Sequence, residues 1–133
     1  MMSLESVPVR AFRGSEFVEA RIEYAACHES GEVRAHGPWG VVRAVRWDVF
    51  ESFREIRRKL EPLGWFLAVN GARYDVYCMG ATRNMSNGTA VHEIPRTNET
   101  PDMRALYIFD PAEPALVSTV EKQESTGRKY FNL

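Results

Sequence analysis

Hydrophobic and polar residues alternate from Phe17 to Cys27, the pattern of a strand with one buried face. The apolar positions of this alternation are Val18, Ala20, Ile22, Tyr24 and Ala26. Polar residues over 28–32 predict a turn, and residues 33–35 and 41–47 are predicted to add two further strands on either side of the sequence HGPWG. The first third of the chain is therefore expected to be rich in strands.

The period changes to that of an α-helix after Asp48, whose carboxylate is predicted to cap the helix N-terminus. One stripe of this helix is apolar and consists of Val49, Phe53, Ile56 and Leu60. Charged residues occupy the opposite side, so the helix is predicted to pack one face on a sheet. Proline and glycine at residues 62–64 are expected to end it.

The second half of the chain predicts further strands and a final helix. Residues 65–69 and 74–78 read as the arms of a hairpin turning at Asn70-Gly71, because both residues accept a positive φ. A polar loop over 79–88 is predicted to lead into a strand over 89–94. The apolar run ALYIF at 105–109 is typical of a central strand covered on both faces. Ser118 and Glu121 have the spacing of a capping box, which predicts a C-terminal helix.

This order of elements predicts an α+β fold, with an antiparallel or mixed β-sheet covered by two α-helices. The 133 residues are expected to form one domain, 1–133. The net charge of −1, from 17 basic and 18 acidic residues, argues against nucleic acid as the main partner. Apolar runs stay far below the ~18 residues of a membrane span, and the N-terminus does not resemble a secretory signal. We therefore expect a cytoplasmic protein with no membrane partner.

Histidine and cysteine residues do not have the spacing of a metal site. The close pair Cys27-His28 is adjacent in sequence, whereas zinc ligands are usually two to four residues apart. We expect neither a metal nor another cofactor. Cys78 with His92 as its base is a possible nucleophilic pair. Arg83 in the 79–88 loop suggests anion binding or protein recognition instead, and a plain surface loop is the third interpretation.

A distinctive motif extends over residues 70–85, NGARYDVYCMGATRNM. It resembles the pattern NGAR-x-DV-x-x-SGM-x-R-x-MGGG of small bacterial proteins that are encoded beside Rhs-type polymorphic toxins and look like their immunity proteins. The matching residues are Asn70, Gly71, Ala72, Arg73, Asp75, Val76, Arg83 and Met85. The sequence departs from the pattern at residues 78–80, which stand near the family's Ser-Gly-Met, and at residues 86–88, which replace its glycine run.

The resemblance implies a protein partner and no catalytic residue. It suggests an immunity protein that binds a cognate toxin domain and neutralises it by stoichiometric inhibition. Arginine and tryptophan are frequent binding hot spots, so the expected partner-binding residues are Arg73, Arg83 and Asn84, with Trp39 as a further candidate. Two alternatives stay open. One is a small ligand-binding protein or enzyme that uses the 79–88 loop, and the other is an intracellular adaptor.

Overall fold

The computed structural model describes residues 4–78, 80–95 and 104–131, and these contain eight strands and three α-helices. The strands are β1 (Glu5–Arg13), β2 (Glu16–Cys27), β3 (Ser30–Gly37), β4 (Gly40–Arg46), β5 (Phe66–Leu67), β6 (Val76–Tyr77), β7 (Ala90–Glu93) and β8 (Leu106–Tyr107). The helices are α1 (Val49–Leu60), α2 (Gly80–Ser86) and α3 (Val120–Phe131). The predicted α+β class is confirmed.

Two antiparallel sheets contain the strands. The larger sheet has the order β4-β3-β2-β1-β5, and the smaller sheet has the order β6-β7-β8. Strand β1, which the alternation pattern did not predict, pairs with β2 along its whole length, from Glu5 opposite Tyr24 to Arg13 opposite Glu16. The predicted alternation of β2 is confirmed up to Tyr24, since Ala20, Ile22 and Tyr24 are buried on the inner face of the sheet, but it is wrong at its end, where Ala25 is buried and Ala26 is exposed.

Helix α1 covers the inner face of the larger sheet, over β3 and β4. Its N-terminus is capped as the sequence predicts, since the Asp48 carboxylate accepts a hydrogen bond from the Glu51 amide at 2.8 Å. The predicted apolar stripe Val49, Phe53, Ile56 and Leu60 is fully buried. A left-handed Gly64, with φ of +83°, then turns the chain towards β5.

The predicted hairpin at Asn70-Gly71 is wrong. Residues 70–72 form a 3-10 turn, after which the chain passes from β5 in the larger sheet to β6 in the smaller one. The amides of Asn70 and Gly71 donate to the distant carbonyls of Asp110 and Ile108, at 2.9 and 2.8 Å. Gly71 is pressed against Ile108, so that a Cβ atom at this position would lie 2.4 Å from Ile108 Cγ1. These long-range contacts replace the local pairing of a hairpin.

Three other local expectations change. Residues 80–86 form α2, whereas the sequence predicted a loop over 79–88, and Met79 lies outside the described residues. The run 105–109 contributes only the short strand β8, with buried Ile108 and Phe109 in the turn that follows. The C-terminal helix is capped one residue later than predicted, because Thr119 Oγ1 accepts from the Lys122 amide at 3.1 Å.

Both sheets and α1 share one hydrophobic core. Its largest fully buried apolar side chains are Phe50, Phe53, Phe109, Ile22, Ile56, Leu60, Leu67 and Ile108. Aromatic contacts connect the layers, since the Phe109 ring lies 5.2 Å from Phe53 on α1 and 5.1 Å from Tyr24 on β2. At the outer edge of the larger sheet, Lys59 Nζ of α1 donates to the Arg43 carbonyl of β4 at 2.7 Å.

The close packing of Gly71 against Ile108 can be tested by substitution. Gly71→Ala is expected to destabilise the protein by about 1–3 kcal/mol, because the added methyl group meets a buried isoleucine. Gly127→Ala is the matched control, since this glycine lies in α3 with open space around its Cβ position. The control is expected to stabilise by about 0.5–1 kcal/mol. Urea unfolding of the two variants measures both effects, and equal stabilities would contradict the packing assigned to Gly71.

Candidate functional site

A buried polar network holds the first part of the motif, residues 70–73. The Arg57 guanidinium of α1 donates to the carbonyls of Gly71 and Ala72, both at 3.3 Å, and to the Ser118 carbonyl at 2.9 Å. It also donates to Gln123 Oε1 on α3 at 2.8 Å. Gln123 in turn donates to the carbonyls of Gly71 and Arg73, at 2.9 and 2.8 Å. The network therefore ties two helices to one turn.

Arg57 has an unusual environment for a charged side chain. It is 3% exposed, and its four hydrogen-bond acceptors in the described part of the chain are neutral oxygens. Burial disfavours the charged form and lowers the pKa of Arg57 to about 9, so the guanidinium remains charged at neutral pH. The Gly71 and Ala72 carbonyls are buried and depend on protein donors, which are Arg57 for both, Gln123 for Gly71 and the Ser118 amide, at 3.2 Å, for Ala72.

Arg73, the first predicted partner-binding residue, is engaged within the protein. Its guanidinium makes a bidentate ion pair with Asp75, with both nitrogen–oxygen distances at 2.8 Å. The two side chains are 10% and 7% exposed. The hydrogen bonds to Asp75 raise the pKa of Arg73. The pair lies immediately before β6, the first strand of the smaller sheet, and the Arg73 side chain is largely buried.

Arg83, the second predicted residue, joins α2 to the N-terminus of α1. Its Nε atom lies 2.6 Å from Asp48 Oδ2, and its Nη2 atom donates to Glu51 Oε1 at 2.9 Å. The guanidinium also lies over the Phe50 ring, 5.2 Å from its centroid. Burial opposes its charge, yet Asp48 and Glu51 together raise the pKa of Arg83. The Arg83 guanidinium is already paired with two carboxylates, which disfavours the binding of an external anion.

The remaining predicted residues lie elsewhere. Trp39 lies in the turn between β3 and β4, where its indole donates to the Ala35 carbonyl at 3.0 Å and packs edge-on against Trp65. Trp65, the neighbour of Trp39, follows the C-terminus of α1, whereas Arg83 lies at the N-terminus of α1. Trp39 and Arg83 are therefore at opposite ends of this helix, which is about 18 Å long. Asn84 belongs to α2, and its side chain lies outside the described part. The described residues thus do not converge on one site.

The structure does not favour a Cys78 nucleophile. Tyr77 is the register partner of His92, and the two rings lie 5.9 Å apart, so the next residue, Cys78, points to the opposite side. The Cys78 thiol donates to the Ala90 carbonyl at 3.4 Å. Burial raises the pKa of Cys78 to about 11, which keeps the thiol protonated at neutral pH.

A different surface stands out on the outer face of the larger sheet, which no described element covers. At one end of this face three phenylalanine rings form a stack. The Phe12 ring lies between those of Phe17 and Phe66, and its centroid is 5.7 Å from each of theirs. The Arg10 guanidinium lies over Phe17, 5.0 Å from its centroid, and Phe17 is 46% exposed. We call this group the aromatic stack. Phe17 stands at an outward position of the β2 alternation and is a partial sequence signal for the stack, whereas Phe12 and Phe66 lie outside that alternation.

Charged residues occupy most of the rest of this face, to which β4 adds the exposed Val41 and Val45, and most of the acids have partners. Glu32 accepts hydrogen bonds from Arg34 and Arg43, at 2.6 and 3.0 Å, and the bond from Arg43 is the main cause of its lowered pKa. Glu23 contacts His36 on the neighbouring strand. By contrast, among the described residues neither Arg10 nor Arg21 has a carboxylate within 4 Å. The face therefore offers two guanidinium groups without a fixed counterion.

Comparisons with known proteins add no assignment. No protein-family model matches the sequence, and no curated protein matches it either. Within the described ranges, His, Cys, Asp and Glu residues form no group of three or more that could hold a metal ion. No helix in the same ranges is long and apolar enough to cross a bilayer. The uncovered face of the larger sheet is thus the main candidate for a binding surface.

The buried ion pair provides a test of the role of Arg73. Arg73→Ala is expected to cost about 3–5 kcal/mol of unfolding free energy, because it leaves the Asp75 carboxylate buried without its partner. Arg128→Ala is the control, since the exposed Arg128–Glu124 pair is worth less than about 1 kcal/mol. Adding Asp75→Asn to Arg73→Ala is expected to recover part of the loss. If Arg73→Ala and Arg128→Ala unfold at the same urea concentration, Arg73 has no such structural role.

Proposed function

We propose that this protein is an immunity protein that binds a cognate bacterial toxin domain and neutralises it by stoichiometric inhibition. The uncovered face of the larger sheet, with its aromatic stack, is the observation that carries the proposal. The resemblance of residues 70–85 to immunity proteins encoded beside Rhs-type toxins supports it. Inhibition of this kind requires no catalytic group and no cofactor, only a rigid surface that matches the toxin.

The size of the face suits such a complex. Strands β1 to β4 are together about 20 Å wide and on average about 30 Å long, by the usual strand spacing and rise. The resulting area of about 600 Å² approaches the ~800 Å² per partner of a standard protein interface. Aromatic and arginine side chains are the commonest hot spots, and the stack combines Phe17 with Arg10. Since β1 and β2 pair over nine positions, these side chains are held on a firm support.

In this proposal the motif residues maintain the scaffold. Arg73 holds the start of the smaller sheet through Asp75, and Arg83 holds α2 against α1 through Asp48. Changes at either arginine would then weaken binding through stability. Trp39 and Asn84 remain candidates for direct contact at the periphery. The expected location is the cytoplasm, where the toxin domain of the same cell or of a neighbour would act.

A second candidate function rests on a cleft of about 250 Å³ beside Arg83. The cleft is lined by His28, Glu29, Trp47, Asp48, Arg83 and Asn87. At this volume, below the ~300–1,000 Å³ of typical small-molecule sites, it suits a ligand of only a few heavy atoms, and the Trp47 ring, which is 53% exposed, would provide an apolar wall. A ligand that binds only the folded protein raises its melting temperature, so a screen of metabolites by thermal shift tests this function. A flat response would remove it.

Co-expression tests the proposed immunity function. The chain is expected to restore growth of cells that produce the toxic domain of the polypeptide encoded immediately upstream of its gene. The two purified proteins are expected to elute together from size exclusion at a 1:1 ratio. Continued cell death together with separate elution would contradict the proposal.

The aromatic stack gives the matching variant. Phe17→Ala is expected to weaken the complex by about 2 kcal/mol, roughly 30-fold in Kd, because it removes a hot-spot ring. Leu63→Ala is the control, since Leu63 is similarly exposed but lies in the turn after α1. The control is expected to bind like the wild type in isothermal titration calorimetry. Equal losses in the two variants would show that the face has no special role.

A further inference from the structure

A cleft of about 260 Å³ opens beside β1, next to the aromatic stack. Its floor consists of the buried residues Val9, Ala68, Val69 and Phe109. Its rim consists of the exposed residues Pro8, Arg10, Glu19 and Pro111. An apolar floor surrounded by a few polar groups is the usual composition of a binding pocket. The volume is below the ~300–1,000 Å³ typical of small-molecule sites, and it suits a single inserted side chain.

The cleft exists because β5 is short. This strand pairs with β1 only at residues 11 and 12, and the Ala68 amide adds one more bond, to the Arg10 carbonyl at 2.9 Å. The chain then turns away to form a bridge between Val69 and Pro111. A wedge is left between this segment and the first half of β1. Pro8 lies at the wedge and has no amide hydrogen, which disfavours the addition of an extended strand along this edge.

The charges around the cleft favour an acidic partner. Arg10 stands on the rim, and no described carboxylate lies within 4 Å of its guanidinium. Arg21, two positions along β2 from Glu19, also lacks a carboxylate and donates to Ser6 Oγ. Glu23 and Glu32, in contrast, are engaged by His36 and by two arginines. Glu19, the register partner of Arg10, is the one acid beside these two arginines on β1 and β2, which leaves one net positive charge on this part of the sheet face.

We propose that this cleft receives one apolar side chain from a loop of the toxin domain and that Arg10 pairs with a carboxylate on the same loop. The inference rests on the proposed immunity function and specifies the contact that would anchor the complex. The inserted side chain would lie against Phe109 and Val69, and the carboxylate would meet Arg10 where the Phe17 ring already restricts the guanidinium. A partly immobilised arginine loses less side-chain entropy on binding.

Two variants test the contact against the upstream-encoded toxin domain. Arg10→Glu reverses the charge at the rim and is expected to raise Kd by about 100-fold, mainly through faster dissociation. Arg128→Glu is the matched control, because it changes an exposed arginine on α3 by the same charge. Its Kd is expected to stay within about 3-fold of the wild type. Ala68→Leu fills the cleft from its floor and is expected to weaken binding independently of charge.

The partner supplies the complementary half of the test. In the toxin domain, individual surface Asp and Glu residues are changed to lysine. One of these changes is expected to restore binding to Arg10→Glu, and a double-mutant cycle is expected to give a coupling of at least about 10-fold in Kd. If the wild type binds the toxin while Arg10→Glu binds equally tightly, the cleft inference is wrong and the proposed function stands. If the wild type forms no complex, both are wrong. A poorly folded Ala68→Leu variant leaves Arg10→Glu as the deciding experiment.

Discussion

The fold depends on how the carbonyl groups of residues 71–73 are satisfied where the chain crosses between its two sheets. The crossing segment makes isolated bridges, such as Arg73 opposite Val117, in place of a continuous sheet ladder, and a buried carbonyl without a donor costs about 1–3 kcal/mol. Arg57 and Gln123, which are 66 residues apart in sequence and lie on two different helices, supply most of these donors, and the Ser118 amide adds one to the Ala72 carbonyl. One polar cluster thereby fixes the position of α1, the turn and α3 relative to one another. The apolar core closes around it on both sheets.

Local patterns predicted the elements that local forces determine. The 3.6-residue period and the Asp48 cap gave α1, and strict alternation gave β2, because each pattern describes a single buried face. The Asn70-Gly71 signal failed because distant carbonyls at Asp110 and Ile108 outcompeted the hairpin partner. Helix α2 was missed because six of its seven residues are polar or small, and the single methionine, Met85, makes no apolar stripe. Its docking through Arg83 depends on acids in α1 that the sequence does not mark as neighbours.

The candidate site was harder to predict than the fold for a related reason. Motif residues such as Asn70, Arg73 and Asp75 are polar and closely spaced, which is typical of a functional site, but all three are buried. Their chemistry is used within the protein. The aromatic stack assembles from residues 12, 17 and 66, which come together only when β5 joins the sheet. Such a surface is invisible to spacing rules, because its members are defined by cross-strand register and not by sequence distance.

Both free edges of the larger sheet are obstructed. Lys59 reaches from α1 to occupy the Arg43 carbonyl on β4, and Pro8 interrupts the donors of β1. Open strand edges recruit further copies of a chain, and lysine and proline are the residues that natural sheets use against this. The same obstruction disfavours pairing of these edges with a second copy of the chain, so contacts made by the larger sheet are left to its uncovered face and not to its edges.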